Sequence, residues 1–226
     1  MKVKIYQVEE YLDRYHTMFC CYDSVIQQAG RVDSSIYKTI FDGNVDVPDL
    51  EALYLKCNLE HPVGYNGHSL SPSDVVELED GTCHFCDTLG FKELKDFDPS
   101  KTIPLEGRRM IVLEPHKAPY VMQIPDELEA LQQAVGGYIE VTYPFDDNAI
   151  LIGNEEAKLI GLEGNRRIGH SIYAGNLLIA ADDGEGGTTD LTDEQISKYT
   201  QMFQQPEDIS HEEVQGDMHF QFIAFS

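Results

Sequence analysis

Residues 67–86, GHSLSPSDVVELEDGTCHFC, contain the clearest fold signal in the chain. The apolar pair Val75 and Val76 is followed by Asp80-Gly81 and then by a second extended run. An Asp-Gly pair between two strand-like runs is typical of a tight hairpin turn. The sequence therefore predicts an antiparallel β-hairpin, and the SPSD segment lies where the chain turns into the first strand of that hairpin.

The same stretch also contains side chains that hydrolases use, namely His68, Ser69, Ser71, Ser73 and Asp74. Neighbouring side chains of an extended segment point to opposite faces, so we expect His68 to face away from Ser69 and Ser71. The sequence has no Gly-x-Ser-x-Gly elbow that would project a serine. Serine and aspartate often bond nearby backbone groups in turns, so we favour a structural turn over a hydrolase site that uses Ser69 or His68.

Outward from the hairpin, short strands and a few helices alternate along the chain. Strands are predicted over residues 2–8, 37–45, 109–115, 120–124, 138–145, 149–154, 158–162, 171–181 and 219–225. Residues 16–30 are predicted to form a strand followed by a short helix that Asp23 or Ser24 caps and Gly30 ends. Helices are also predicted over residues 48–58, 124–137 and 191–203, where Thr192 and Gln195 form a capping box. Residues 204–217 are predicted to form a loop.

The predicted elements give an α+β fold of mostly antiparallel strands with a few short helices. Residues 96–107, DFDPSKTIPLEG, are polar and contain proline, which is typical of a connecting segment. We therefore predict two small domains, residues 1–98 and residues 108–226, joined by a linker at 99–107.

The charge of the chain limits the partners it can have. Forty acidic residues stand against 16 basic ones, a net charge of −24. Such a chain repels phosphate backbones, which disfavours direct binding to nucleic acid. A basic protein surface or a metal ion fits this charge, and a surface that is acidic only for solubility is the alternative. The excess is densest in residues 182–226, whose only base is Lys198.

The cysteines and the apolar segments predict a cytoplasmic protein. Five cysteines form no framework-like spacing, and no segment has the length of a signal peptide core or a membrane span. Cys83 and Cys86 form a C-x-x-C motif, but a second cysteine pair that would complete a zinc site is missing. The motif falls in a predicted strand, so we favour structural cysteines and expect no cofactor and no metal.

Two further segments have a possible binding role. Asn165, Arg166 and Arg167 would suit a phosphate or carboxylate ligand, although we favour pairing of the arginines with Glu155 or Glu156. The acidic run at residues 182–187 lacks the spacing of an EF-hand calcium loop, and we interpret it as a flexible acidic loop.

The first half of the chain resembles the YodL-like domain. The motif GHSLSPSDVV is preceded by NLEHPVGYN and followed by DTLGF, and Pro72 stands where the family usually has valine. The matching residues are Asn58, His61, Pro62, Gly67, His68, Ser69, Leu70, Ser71, Ser73, Asp74, Gly90 and Phe91. The second half, with VLEPHKAPYVMQI and NEEAKLIGLEGNR, resembles an uncharacterised domain that often follows the YodL-like one.

The resemblance implies a setting but no activity. Such proteins resemble cargo of plasmids, conjugative elements and phages of Gram-positive gut bacteria. In that setting we expect a non-catalytic acidic binding protein that inhibits a host nucleic-acid-directed defence, of the anti-CRISPR or antirestriction type. It would do so by occupying the basic surface of a host nucleic-acid-binding protein, without contact to nucleic acid or membrane.

The expected contacts are acids from the C-terminal region: Asp182, Asp183, Glu185, Glu207, Asp208, Glu212 and Glu213. One alternative is a small-molecule or nucleotide-binding module centred on Asn165, Arg166 and Arg167. A second alternative is a metal-dependent nuclease or hydrolase, and the oligomeric state is left open.

Overall fold

The computed structural model describes residues 1–223, with side chains up to residue 218. The chain divides into two compact units, Met1–Leu105 and Glu106–Ser226. Residues 99–105, which the sequence assigns to a linker, lie in the first unit. There the backbone N–H of Ile103 donates to the Tyr37 carbonyl, and the N–H of Thr39 donates to the Ile103 carbonyl, both at 2.8 Å.

The first unit is an antiparallel sheet with two helices. Its strands are β1 (Lys2–Val8), β2 (Tyr37–Asn44), β3 (Val75–Leu78), β4 (Cys83–Cys86) and β5 (Phe91–Leu94). Its helices are α1 (Tyr22–Ala29) and α2 (Leu50–Leu59). The strand order across the sheet is β2-β1-β3-β4-β5.

The hairpin predicted from Asp80-Gly81 joins β3 to β4. Gly81 adopts a φ of 83°, a left-handed conformation that glycine tolerates without strain. This turn sets the register, so that Val75 lies opposite Phe85. Both side chains are fully buried, and burial of each contributes roughly 1.5–3 kcal/mol.

One residue near the end of α1 and one at the start of α2 determine where these helices stop and begin. The α1 helix ends at Gly30, which has a φ of 77°, as the sequence predicts. The strand predicted before it is wrong, since residues 16–21 contain a turn and no strand, and the cap residue is Cys21 and not Asp23 or Ser24. The carboxylate of Asp49 accepts a hydrogen bond from the Ala52 backbone N–H at 2.8 Å and caps α2. Val25 of α1 packs in a core cluster with Tyr6, Tyr37 and other apolar side chains of the sheet.

The second unit is a larger antiparallel sheet with three helices. Its strands are β6 (Arg108–Leu113), β7 (Tyr120–Ile124), β8 (Ile139–Thr142), β9 (Ala149–Asn154), β10 (Gly164–Ile168), β11 (Ser171–Ala174), β12 (Leu177–Asp182) and β13 (Thr188–Thr189). Its helices are α3 (Leu128–Val135), α4 (Asp193–Met202) and α5 (His211–Ile223). The strand order is β7-β6-β12-β9-β8, with β13 beside β12, and β10 and β11 form a separate hairpin.

The α+β class is therefore correct, with sheets of five and six strands and five helices in the described chain. The capping box of Thr192 and Gln195 opens α4 as predicted. The strand predicted over 158–162 is wrong, because Asn154 starts a series of turns there: its side-chain oxygen accepts from the Glu156 backbone N–H at 2.8 Å.

The loop predicted over 204–217 is correct for residues 204–210, but the remainder of that loop and the start of the strand predicted after it are wrong. Residues 211–223 form α5, and residues 224–225 of the predicted strand lie outside the described residues. Val214 of α5 is fully buried and packs with Ala157, Ala174 and Ile209. This tertiary contact stabilises the helix. The sequence of the segment has no helical periodicity of apolar residues that would predict it. Among the described residues, no helix combines the length and the apolar character that crossing a bilayer requires.

Candidate functional site

The GHSLSPSD block is held by a hydrogen-bond network around Gln7 of β1. The amide nitrogen of Gln7 donates to the His68 carbonyl at 2.7 Å and to Oδ2 of Asp74 at 3.0 Å. The amide oxygen of Gln7 accepts from the His68 backbone N–H at 3.1 Å. A Cβ atom at Gly67 would lie 2.2 Å from this oxygen, so the close approach requires glycine. The network fixes the block against the sheet.

Two of the three serine hydroxyls of the block, those of Ser71 and Ser73, bond to the backbone. The Ser71 hydroxyl donates to the Ser69 carbonyl at 2.6 Å. The Ser73 hydroxyl accepts from the Phe19 backbone N–H at 2.9 Å. The His68 Nδ1 atom lies 2.8 Å from the Ser69 carbonyl oxygen, so it faces the backbone and not a hydroxyl. A catalytic serine needs a bond from its hydroxyl to the imidazole, which this arrangement does not provide.

Asp74 is the most unusual ionisable group in the network. Its carboxyl is buried, and burial raises its pKa well above the ordinary value. Oδ2 accepts from the Ser71 backbone N–H at 2.8 Å, whereas Oδ1 is buried with no partner in the described chain. His68 Nδ1 lies 3.9 Å from Oδ2. The strand alternation did not predict this proximity, because residues 67–74 form turns.

The two cysteines of the C-x-x-C motif lie in β4 and are buried. Burial raises the pKa of Cys83 to about 11 and the pKa of Cys86 to about 12. Both groups are therefore neutral thiols near pH 7, whereas redox and zinc-binding cysteines act as thiolates. All five cysteines of the chain are free. These properties favour the structural interpretation of the motif.

Asn165 and Arg166 of β10 are buried, so neither side chain faces a solvent-borne ligand. The Arg166 guanidinium donates to the Asn165 carbonyl at 2.9 Å and to the Lys117 carbonyl at 2.7 Å. The Asn165 amide donates to the carbonyls of Leu113 and Gly175. Burial lowers the pKa of Arg166. Both residues connect segments of the second unit, and their side chains have almost no exposed surface.

Arg167, the next residue, is exposed and paired with two acids. Its guanidinium lies 2.7 Å from Oε1 of Glu213 and 3.5 Å from Oε2 of Glu207. Its backbone N–H also donates to Glu207 at 2.9 Å. The partners are therefore not Glu155 or Glu156, as the sequence predicted, but two residues that flank the start of α5.

The seven acids predicted as contacts fall into two groups. We call Asp182, Asp183 and Glu185, between β12 and β13, the turn acids. We call Glu207, Asp208, Glu212 and Glu213, around the start of α5, the helix acids. Within the part of the chain that the structure describes, no ion pair or hydrogen bond joins one group to the other.

The turn acids lie in the loop between β12 and β13, which contains several hydrogen bonds from backbone N–H groups to carboxylates. Oδ1 of Asp182 accepts from the Gly184 backbone N–H at 2.8 Å. Oδ1 of Asp183 accepts from the backbone N–H groups of Glu185 at 2.7 Å and Gly187 at 2.9 Å. The first of these two bonds is the main reason that the pKa of Asp183 is lowered. The Glu185 side chain is exposed.

The helix acids combine held and free carboxylates. Glu213 accepts hydrogen bonds from the Ser210 backbone N–H at 2.9 Å and from the Ser210 hydroxyl at 2.8 Å. The ion pair with Arg167 and these bonds lower the pKa of Glu213 to about 2. Asp208 and Glu212 are exposed and have no bond to another side chain in the described chain. With one guanidinium against four carboxylates, the group has a net charge of −3.

Sequence reasoning missed Gln7 and the role of Arg167. Gln7 is a polar residue inside an apolar strand, but the sequence does not reveal that a bulge between Ile5 and Tyr6 changes the strand's pairing register. Arg167 stands next to Arg166 in the same strand, and alternation places the two on opposite faces without saying which face is buried.

Two family models match the chain. The model of the YodL-like domain matches residues 2–97, and the model described as Domain of unknown function (DUF3846) matches residues 108–204. The first match contains the network around Gln7, the second contains the turn acids, and the helix acids follow it. No curated protein matches the chain, and no solved structure does. The two family descriptions name no activity.

Proposed function

Since the chain consists of a YodL-like domain followed by a DUF3846 domain, we propose that it is a non-catalytic binding protein. Its acidic exterior occupies the basic surface of a protein that handles nucleic acid. No activity comes with the two families, so the proposal depends on the charges and contacts of this chain.

The helix acids carry the proposal. Arg167 and Ser210 hold Glu213, and Arg167 also holds Glu207, so the group is organised before a partner arrives. Asp208 and Glu212 remain free to accept hydrogen bonds from lysine or arginine side chains. Preorganised charges lose less conformational entropy on binding than mobile ones do. A rigid acidic surface is therefore suited to a groove that normally binds phosphates.

The total charge of −24 supports the same partner class. Long-range attraction between a strongly acidic protein and a basic groove raises the association rate, and salt screens this attraction. The specific form that we propose is inhibition of a host defence directed at nucleic acid, of the antirestriction or anti-CRISPR type. The resemblance to proteins carried by mobile elements and phages supports this form.

Affinity capture with the full chain tests the proposal. The tagged protein is immobilised and incubated at low salt with lysate of a Gram-positive gut bacterium. We expect capture of a nucleic-acid-binding protein, its release by about 0.5 M salt because the Debye length falls to a few ångströms, and its displacement by added DNA or RNA. Captured proteins that neither salt nor nucleic acid displaces would contradict the proposal.

A matched pair of variants locates the contact. Asp208→Asn with Glu212→Gln removes two charges from the helix acids, and Asp96→Asn with Glu79→Gln removes two charges from exposed acids of the first unit. Both double variants have the same net charge. We expect loss of capture only for the first pair, and an equal loss for both pairs would contradict the assignment to this surface.

A further inference from the structure

A cavity of about 300 Å³ lies in the first unit, between the loop before α1, the end of α1 and the segment that leads into β2. We call it the arginine cavity. Three of its lining residues are buried, namely Thr17, Val25 and Tyr37. Four are exposed, namely Arg14, Tyr15, Arg31 and Ser35. The cavity therefore has a largely apolar floor and a polar rim.

The arginines make this cavity unusual in so acidic a chain. The first unit, Met1–Leu105, contains two arginines, and both line the cavity. Arg14 forms no ion pair within the described part of the chain, and Arg31 lies 3.6 Å from the carboxylate of Asp33. Asp33 is the one acid among the lining residues, and the nearby Asp13 carboxylate is buried and bonded to Thr17 and Met18. The Arg14 guanidinium, which none of these carboxylates pairs, is therefore available to an anion.

The loop that carries Arg14 is ordered by Asp13. The Asp13 carboxylate accepts from the backbone N–H and the hydroxyl of Thr17, at 2.9 and 2.8 Å, and from the Met18 backbone N–H at 2.9 Å. His16 has a φ of 54°, an unfavourable conformation for a residue with a side chain. A conformation of this kind persists only where surrounding contacts hold it, and here the hydrogen bonds of Asp13 hold the turn that contains Tyr15.

We propose that the arginine cavity binds a nucleoside monophosphate. Arg14 and Arg31 bind the phosphate, since guanidinium groups donate paired hydrogen bonds to phosphate oxygens. The ring of Tyr15, 57% exposed at the rim, stacks on the base. Asp33 accepts from a ribose hydroxyl or an exocyclic amine, which accounts for a carboxylate in an anion site.

The size of the cavity and its apolar floor favour a nucleoside monophosphate over inorganic phosphate. A volume of about 300 Å³ is at the lower end of the range for small-molecule sites. Inorganic phosphate would leave the apolar floor of Val25 and Tyr37 without a contact, whereas a base and a ribose would cover it. The inference goes beyond the proposed function, because it concerns positive charge in the first unit and not the acids of the second.

Calorimetric titration of the full chain tests the site. The probes are the four common nucleoside 5′-monophosphates, the four matching nucleosides and inorganic phosphate. We expect at least one monophosphate to bind with a Kd below about 1 mM, and its nucleoside and inorganic phosphate to bind at least tenfold more weakly. Equal binding of the nucleoside or of inorganic phosphate would overturn the proposed ligand class, and no binding by any probe would overturn the site.

Three substitutions separate the contributions. Arg14→Gln and Arg31→Gln are each expected to raise the Kd of the monophosphate about tenfold or more, because each removes a charge-assisted hydrogen bond. Tyr15→Leu is expected to raise the Kd of the monophosphate about fivefold or more and to leave the Kd of inorganic phosphate unchanged. Lys95→Gln is the control, since it removes an exposed charge of the same unit outside the cavity. Equal weakening by the control would overturn the proposal, and unchanged melting temperatures establish that each variant is folded.

Discussion

Asp74 in the first unit and Glu213 in the second both accept hydrogen bonds from a backbone N–H, yet their surroundings differ. Asp74 is buried, with His68 Nδ1 3.9 Å from its Oδ2 atom, and burial raises its pKa. Glu213 is exposed beside Arg167, and its pKa is lowered to about 2. The same functional group thus fixes the backbone in one place and presents a negative charge in the other. The comparison shows that residue type alone does not separate a buried acid from an exposed acid that is paired with an arginine.

Substitution of the buried arginine of β10, compared with its exposed neighbour, is expected to have the largest effect on stability. Arg166→Met removes donors from the buried Asn165 carbonyl and from the Lys117 carbonyl, and we expect a loss of about 3 kcal/mol in the free energy of unfolding. Arg167→Met breaks only exposed ion pairs and is expected to cost below about 1 kcal/mol. Urea denaturation measures both values. Equal losses would show that the burial of Arg166 is not what makes it structural.

Gly67 provides the next test, in the network around Gln7. A methyl group at this position would collide with the buried Gln7 side chain, and we expect Gly67→Ala to cost about 2 kcal/mol. Gly81→Ala is the control, because Gly81 has open space around it. This substitution is expected to add only the cost of a left-handed alanine, about 1 kcal/mol. A smaller loss for Gly67→Ala than for Gly81→Ala would contradict the tight contact.

The two carboxyl groups are expected to give pH dependences of opposite sign. The folded-state pKa of Asp74 lies above its unfolded value of about 3.9, so its contribution to stability is complete below that value and is lost as pH rises through the folded pKa. The folded-state pKa of Glu213 is about 2, so its contribution is present above the unfolded pKa of about 4.3 and is lost as pH falls toward 2.

Denaturation of the wild type, Asp74→Asn and Glu213→Gln from pH 2 to pH 8 measures these contributions. The difference in unfolding free energy between wild type and Asp74→Asn is expected to fall with rising pH. The difference between wild type and Glu213→Gln is expected to rise between pH 2 and pH 5, and salt reduces it because the pair is exposed. Slopes of the same sign would contradict the comparison between the two groups.

The smallest effect on stability is expected for the free helix acids. Asp208→Asn with Glu212→Gln breaks no bond within the described chain, so the free energy of unfolding should change by less than about 0.5 kcal/mol. Thermal unfolding of the double variant measures this change. A loss above about 1 kcal/mol would indicate that these acids support the fold and are not free for a partner.

Local signals made part of the fold predictable. The Asp80-Gly81 turn, the capping box at Thr192 and the stop at Gly30 each act within a few residues, and each was correctly predicted. Residues 158–162 contain the apolar Leu159 and Ile160, but both side chains are exposed, because the Asn154 side chain directs the chain into turns. Helix α5 depends on the burial of Val214 against residues far away in sequence.

The candidate sites were less predictable than the fold. Arg166 and Arg167 are adjacent and identical in type, and only the packing of β10 decides which of them is buried. The two arginines of the arginine cavity are separated by helix α1, and no sequence motif joins them. The helix acids were identified from charge density alone, whereas the pairing that organises them depends on the return of the chain to β10.

The association rate constant of the captured partner tests the central claim most directly. It is measured at several salt concentrations for the wild type, for Asp208→Asn with Glu212→Gln, and for Asp96→Asn with Glu79→Gln. The proposed long-range attraction between the helix acids and the partner predicts a lower rate and a weaker salt dependence for the first variant and wild-type behaviour for the second. Identical rates and identical salt dependences for all three proteins would contradict the claim that the helix acids form the binding surface.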